Sequence, residues 1–164
     1  NKRLPMYWSD DADDPDICAG PPDKDEIPMK FPSAAEQMKD DLSIWTWFRE
    51  VIRVRNAFPA IARGLTESVD SLSDSNVAAF RGRRREEGPA TGAADGDLLI
   101  VMNLRADTAV KEISGEASAA GGADGSADNN LTLAAVLNTG EENITYDDGV
   151  LTLPGYSIAV FTMD

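Results

Sequence analysis

Between Arg63 and Gly64 the hydrophobic pattern of this chain changes period: apolar residues recur at helical spacing before it and at every second position after it. Upstream, Ile44, Trp47, Phe48, Val51, Val54 or Arg55, and Phe58 form a stripe that Trp45 and Ile52 widen. The spacing predicts a helix over about 42–57, capped by Asp40 or Asp41 and stopped by Pro59. So broad an apolar face exceeds what one neighbour can cover. The helix is therefore expected between two partners, with Trp45 and Trp47 in the core.

Downstream, β-branched residues at period two predict strands over 65–71, 76–84, 97–105, 108–114, 131–138, 143–146, 149–153 and 157–163. Turn signals at Asp95-Gly96, Thr139-Gly140, Asp148-Gly149 and Pro154-Gly155 lie between them. A strand and turn every ~8–12 residues is the pattern of an antiparallel β-sandwich. Two low-complexity stretches, Arg81 to Gly96 and Gly115 to Asn130, interrupt it and read as hairpin loops. The fold class is thus mainly β, an antiparallel β-sandwich preceded by a long loop and one α-helix. No internal repeat is visible.

The long loop is residues 1 to 32, which hold most of the prolines. Proline fixes its own φ and restrains its predecessor, so this segment is expected to be irregular and extended, functional or laid over another surface. Ser33-Ala34-Ala35-Glu36 then has the capping-box form and opens a helical turn or two. Asp10, Asp11, Asp13, Asp14 and Asp16 invite a calcium site, but the run lacks the EF-hand spacing, its turn glycine and its terminal Glu. It reads as a solvated acidic loop, and Asp124 to Asn129 reads the same way.

Composition removes several function classes. Fifteen Lys and Arg against 29 Asp and Glu give a net charge of −14. Such a surface repels phosphate backbones and anionic membranes, so neither nucleic acid nor membrane is an expected partner. No apolar run reaches the ~18 residues of a spanning helix. The chain has no histidine, which excludes Ser-His-Asp, Cys-His and His-ligated zinc chemistry. Cys18, in Ile17-Cys18-Ala19-Gly20-Pro21, has no nearby base and reads as an inert thiol that permits no internal disulfide. Paired carboxylates for glycoside hydrolysis must be held roughly 5 Å apart with one acid shielded, and the acids here cluster in polar loops. No catalytic residue, metal site or cofactor is therefore expected. Tyr7, Trp8 and Tyr146 are weak candidates for a sugar-stacking platform. Localisation is open, with the cytoplasm favoured.

Three segments carry a family resemblance. Arg3-Leu4-Pro5-Met6-Tyr7-Trp8-Ser9 resembles the Arg-x-Pro-Met-x-Trp segment that follows the eighth barrel strand in α-amylase family (glycoside hydrolase family 13) enzymes, notably the α-glucosidase and oligo-1,6-glucosidase branch. The helix from Ser43 to Asn56, followed by Phe58-Pro59-Ala60-Ile61 and Gly64, is similar to their eighth barrel helix. Leu153-Pro154-Gly155-Tyr156-Ser157-Ile158-Ala159-Val160 is similar to the closing strand of their C-terminal β domain. The resemblance implies that residues 1–63 are the end of a catalytic (β/α)8 barrel, its post-strand-8 loop and last helix, and that residues 64–164 are the C-terminal domain. It also implies a parent that hydrolyses or transfers α-glucosidic bonds with retention, its Asp nucleophile and Glu acid/base at barrel strand ends before Asn1. Only Arg3 carries over as substrate-binding. In exo-acting relatives this arginine lies near the closed end of the glucose pocket, paired with a carboxylate that this chain lacks, so the role would exist only in the intact parent.

On this reading the chain, which starts at Asn1 without an initiator Met, is a fragment, inactive alone, whose domain covers the last barrel helix. Its partners would be the barrel of its own polypeptide and the parent's α-glucan or oligosaccharide substrate, and the bare helix face is expected to drive self-association. The alternative is a carbohydrate-binding module recognising α-glucans through Phe80, Tyr146, Tyr156 and Phe161, most of which fall in strand patterns as core. A small self-contained enzyme is a third reading, opposed by the missing histidines and scattered acids.

Overall fold

The computed structural model describes residues 5–11, 14–15, 17, 20–22, 30–83, 96–113 and 131–163. The chain divides into two units, Asn1–Arg49 and Glu50–Asp164, and the division falls inside the main helix.

The first unit contains the short helix α1 (Ala34–Gln37) and the start of α2 (Ile44–Ala57). The capping box of α1 forms as the sequence implies: Ser33 Oγ accepts from Glu36 N at 3.2 Å, and Ser33 N donates to Glu36 Oε2 at 3.3 Å. The amides of Ala34 and Ala35 donate to the carbonyls of Tyr7 and Trp8, both at 2.9 Å, which ties the opening segment to α1. The cap of α2 differs from expectation. Asp40 Oδ1 accepts from Leu42 N at 2.9 Å and so serves the preceding turn. Ser43, directly before the helix, accepts from Thr46 N at 3.2 Å and donates its hydroxyl to Gln37 O at 2.5 Å. A hydroxyl can do both, whereas a carboxylate only accepts.

In the second unit Pro59 stops α2 but also starts α3 (Pro59–Arg63), a restart the periodicity did not reveal. Proline at a first helical position has no amide to leave unsatisfied. Gly64 follows with φ −73°, so its conformation does not demand glycine. Space does: a Cβ there would lie 2.4 Å from Ala60 O and 2.5 Å from Arg83 O.

Eight strands follow: β1 (Leu65–Ser68), β2 (Val77–Arg83), β3 (Asp97–Asn103), β4 (Ala109–Glu112), β5 (Leu131–Leu137), β6 (Thr145–Asp147), β7 (Val150–Leu153) and β8 (Ile158–Met163). Each overlaps an expected strand. They form a five-stranded sheet in the order β1-β2-β3-β8-β5 and a three-stranded sheet in the order β4-β7-β6, all pairs antiparallel. The described residues are thus mainly β, with few helices and no closed barrel, the sandwich that the period-two pattern implied. Residues 84–95 and 114–130 lie outside the described residues. β2 and β3 pair directly, as a hairpin requires. β4 and β5 lie in different sheets.

Two apolar clusters hold this unit together. Between the sheets, Val77, Ala79, Leu99, Val101, Ala159 and Phe161 meet Ile113, Leu151 and Leu153. On the other face of the larger sheet, Leu98, Leu137 and Val160 pack with Val54, Phe58 and Ala60 of the helical segment. Burial on both faces explains why β3 reads Leu98-Leu99-Ile100-Val101-Met102 without alternation. β5 serves both clusters by another device. A bulge between Leu133 and Ala135 shifts its register, so Leu131 and Leu133 face the sandwich core while Ala135 and Leu137 face the helices. At the β6–β7 hairpin Asp148 (φ 46°) and Gly149 (φ 79°) both take left-handed conformations, as a two-residue type I′ turn requires.

Candidate functional site

Arg3 and Cys18 lie outside the described residues, as do Asp13, Asp16 and Asp124 to Asn129. Of the acidic run, Asp10 and Asp11 are exposed, and Asp14 accepts from Ser9 Oγ. Asp14 N donates to Asp11 O at 3.2 Å and Ile17 N to Asp14 O at 3.0 Å, so the run folds on itself as turns. Among the described residues no three His, Cys, Asp or Glu side chains converge as metal ligands.

The helix α2 carries two apolar stripes about a quarter-turn apart. Val51, Val54 and Phe58 lie on one, and they pack on the outer face of the five-stranded sheet. Ile44 (67% exposed), Phe48 (58%) and Ile52 (43%) form the other at i, i+4 and i+8, with Trp45 beside them. Trp45 is therefore an exposed residue and not the core residue expected, while Trp47 is half-buried. Which azimuth of the broad stripe finds a partner depends on tertiary context that periodicity does not encode. In the first unit Met6, Trp8, Phe31, Met38 and Leu42 are exposed as well.

The aromatic candidates of the sandwich separate cleanly. Phe161 is fully buried, and Tyr146 packs edge-on against it with ring centroids 5.0 Å apart at 77°. Phe80 is half-buried in β2. Tyr156 is 55% exposed. It borders an open groove of about 440 Å³ lined by Ala106, Asn138, Gly140, Glu141, Glu142 and the Pro154-Gly155 turn. That turn is held from beneath by Asn103, itself 2% exposed. Asn103 Nδ2 lies 2.7 Å from Asp107 O, 3.0 Å from Pro154 O and 3.1 Å from Leu153 O, and its Oδ1 accepts from Arg105 N at 3.0 Å. Ser157 Oγ donates to Pro154 O at 2.7 Å. Tyr156 has φ 53°, unusual for a bulky residue, whereas Gly155 is needed for space: a Cβ there would sit 2.2 Å from Ala106 O. The sequence hinted at this turn through Pro154-Gly155; it held no sign that the tyrosine would carry the left-handed angle.

One ion pair bridges the two sheets of the sandwich. Lys111 Nζ on β4 lies 2.6 Å from Asp74 Oδ2 in the β1–β2 connection. The Lys111 hydrogen bond, with the amides of Asn76 and Val77, lowers the Asp74 carboxyl from its ordinary 3.8 to about 2.

No family model and no curated protein matches the chain in sequence. Solved structures do match. Amy13B of Eubacterium rectale superposes with a TM-score of 0.80 at 29% identity, over 99% of this chain and 28% of that one. The trehalulose synthase MutB from Pseudomonas mesoacidophila matches with TM-score 0.59 at 21% identity, over 100% of this chain and 26% of its own. An α-amylase from H. orenii matches with TM-score 0.58 at 22% identity, over 82% of this chain and 23% of its own. At these lower identities the likeness is one of fold. The chain spans about a quarter of the length of the structures it matches. With the helix, the sandwich and the match to Amy13B in place, the chain is similar over its whole length to a C-terminal portion of α-amylase family (glycoside hydrolase family 13) enzymes.

Proposed function

We propose that this chain is a non-catalytic part of an enzyme acting on α-glucosidic bonds, and that its own task is structural: it covers and steadies the last helix of a catalytic barrel. In this reading residues 1–63 are the end of the barrel and residues 64–164 the C-terminal domain. Arg3 would meet substrate only when the barrel is present, and the segment from Arg3 to Trp8 favours the α-glucosidase and oligo-1,6-glucosidase branch.

The observation that carries the reading is the second stripe of α2. Ile44, Phe48 and Ile52 lie in one row and stay exposed while the first stripe is packed. Covering a side chain of this size is worth ~1.5–3 kcal/mol, so a bare row of three represents several kcal/mol awaiting a partner. A barrel on the remaining azimuth is the partner this reading supplies, and a second copy of the chain is its substitute when the barrel is absent. Two measurements test it. The purified chain should show no turnover of a chromogenic α-glucoside, and activity that persists through purification refutes the non-catalytic reading. The reading frame before the Asn1 codon should encode roughly 400 residues of alternating strand and helix; any other architecture there refutes the parentage.

A further inference from the structure

We propose that Asn143 is an acceptor site for an N-linked oligosaccharide, presented by the folded sandwich. The inference rests neither on the covering role nor on the parent's activity, so each can fail alone. Asn143-Ile144-Thr145 is the pattern in which an asparagine amide is glycosylated: a hydroxyl two residues on, with no proline between. Asn56, Asn76, Asn103 and Asn138 lack Ser or Thr at that place. So short a pattern becomes a site only where both of its side chains are free to leave the surface together. The strand period arranges that here. Ile144 and Tyr146 pack inward against the sandwich core. Successive strand residues point to opposite sides, so Asn143 and Thr145 point outward, and both are exposed.

The surroundings leave room for a transferring enzyme. Asn143 follows a loop in which Thr139 to Glu142 are exposed, and a Cβ on Gly140 would meet nothing within 4 Å. β6 lies at the edge of its sheet and pairs with β7 alone. Thr145 stands opposite Thr152, and Thr152 opposite Val110, so a glycan on Asn143 starts beside a row that ends at Val110, 62% exposed, with Val150, 40% exposed, in the next row. Sugar C–H faces laid over these valines screen an outer face that the fold leaves bare. In the transfer itself Asn143 Nδ2 bonds to the anomeric carbon of a polyprenyl diphosphate-linked oligosaccharide and the bond from that carbon to the diphosphate oxygen breaks. The diphosphate leaves with the electron pair, and the amide gives one proton to solvent. This chemistry takes place outside the cytoplasm, so the site serves a parent that is exported.

The test uses the purified chain carrying Asn130→Gln, because Asn130-Leu131-Thr132 has the same pattern and Asn130 lies outside the described residues. The chain is incubated with a polyprenyl diphosphate-linked oligosaccharide and an oligosaccharyltransferase active on an unrelated Asn-x-Thr peptide, and its intact mass is read. The folded chain should gain the mass of one oligosaccharide. The gain should vanish in Asn143→Gln and in Thr145→Ala and persist in Thr145→Ser, which keeps the hydroxyl. Equal thermal midpoints across these variants separate loss of the acceptor from loss of the fold. A gain that survives Asn143→Gln overturns the proposal. So does the absence of any gain on the folded chain, even where a synthetic peptide of residues 139–149 is modified, because the fold then hides the pattern.

Discussion

Asn103 carries a prediction whose size follows from its partners. It is buried at the end of β3, and one amide group serves the carbonyls of Asp107, Leu153 and Pro154. In Asn103→Ala these acceptors lose their donor. Pro154 O keeps Ser157 Oγ at 2.7 Å, and Asp107 sits in an exposed stretch where water can replace the amide. Leu153, buried in β7, lies opposite Ala109 of β4 in the antiparallel ladder and keeps that strand's amide. Each of the three acceptors loses one hydrogen bond worth ~0.5–1.5 kcal/mol, so the variant should lose about 1.5–4.5 kcal/mol. Asn103→Asp keeps the shape and reverses the polarity, aiming a carboxylate at three carbonyl oxygens. The folded state then prefers the protonated acid, raising the folded pKa above the unfolded value. The folded form holds more protons, so the deficit grows as pH climbs above ~4. Urea unfolding should be followed by far-UV circular dichroism, because Trp8, Trp45 and Trp47 all lie in the first unit and their fluorescence does not report on the sandwich. With a slope of ~1–3 kcal/mol/M, the Asn103→Ala midpoint should move by about 1 M or more. A loss under ~0.5 kcal/mol, or an Asn103→Asp deficit that does not change with pH, would refute the account of Asn103 as the donor that holds this turn.

Gly155→Ala should destabilise by ~1–3 kcal/mol because its methyl would lie 2.2 Å from Ala106 O, whereas Gly140→Ala, with nothing within 4 Å, should be nearly neutral; equal midpoints in thermal unfolding would contradict the steric reading. Asp74 has a folded pKa lowered to about 2 by Lys111, so its contribution is present above the ordinary 3.8 and is lost as pH falls toward 2; Asp74→Asn should flatten the acid limb of stability against pH in that window, and an unchanged limb would count against the pair. Phe48→Glu should lower the apparent mass in light scattering at high concentration without lowering the thermal midpoint, and a strictly monomeric parent chain would remove the basis for self-association through this face.

What the sequence made legible followed from period and turn chemistry. β2, β3, β5, β7 and β8 announced themselves because one or both faces are buried, β1 is exposed throughout, and Asp148-Gly149 specified its hairpin because both residues tolerate positive φ. Ser33 and Glu36 likewise declared a cap by spacing alone. The misses share a cause. Ser43 displaced the aspartates as the α2 cap and Trp45 stayed out of the core, each decided by packing that periodicity does not encode. The Tyr156 groove was invisible for the same reason. Ala106, Asn138 and Gly155 are brought to one rim by three separate strand ends.

The two sides of the larger sheet explain why the helical segment reads ambiguously. Leu98, Leu137 and Val160 on its outer face are as well buried as the sandwich core, and Val54, Phe58 and Ala60 are what cover them. A sheet with two apolar faces cannot dispense with either layer, so the end of α2 and α3 are energetically part of the β unit although they precede the change of period at Gly64. The start of α2 has a different allegiance, for its row from Ile44 through Phe48 to Ile52 turns away from the stripe that meets the sheet. The helix's first stripe completes a core within this chain, and its second stripe is exposed. That division is why a stripe too broad for one neighbour is a feature of a junction, and why the period change at Arg63-Gly64 marks a change of secondary structure and not the limit of the packed unit.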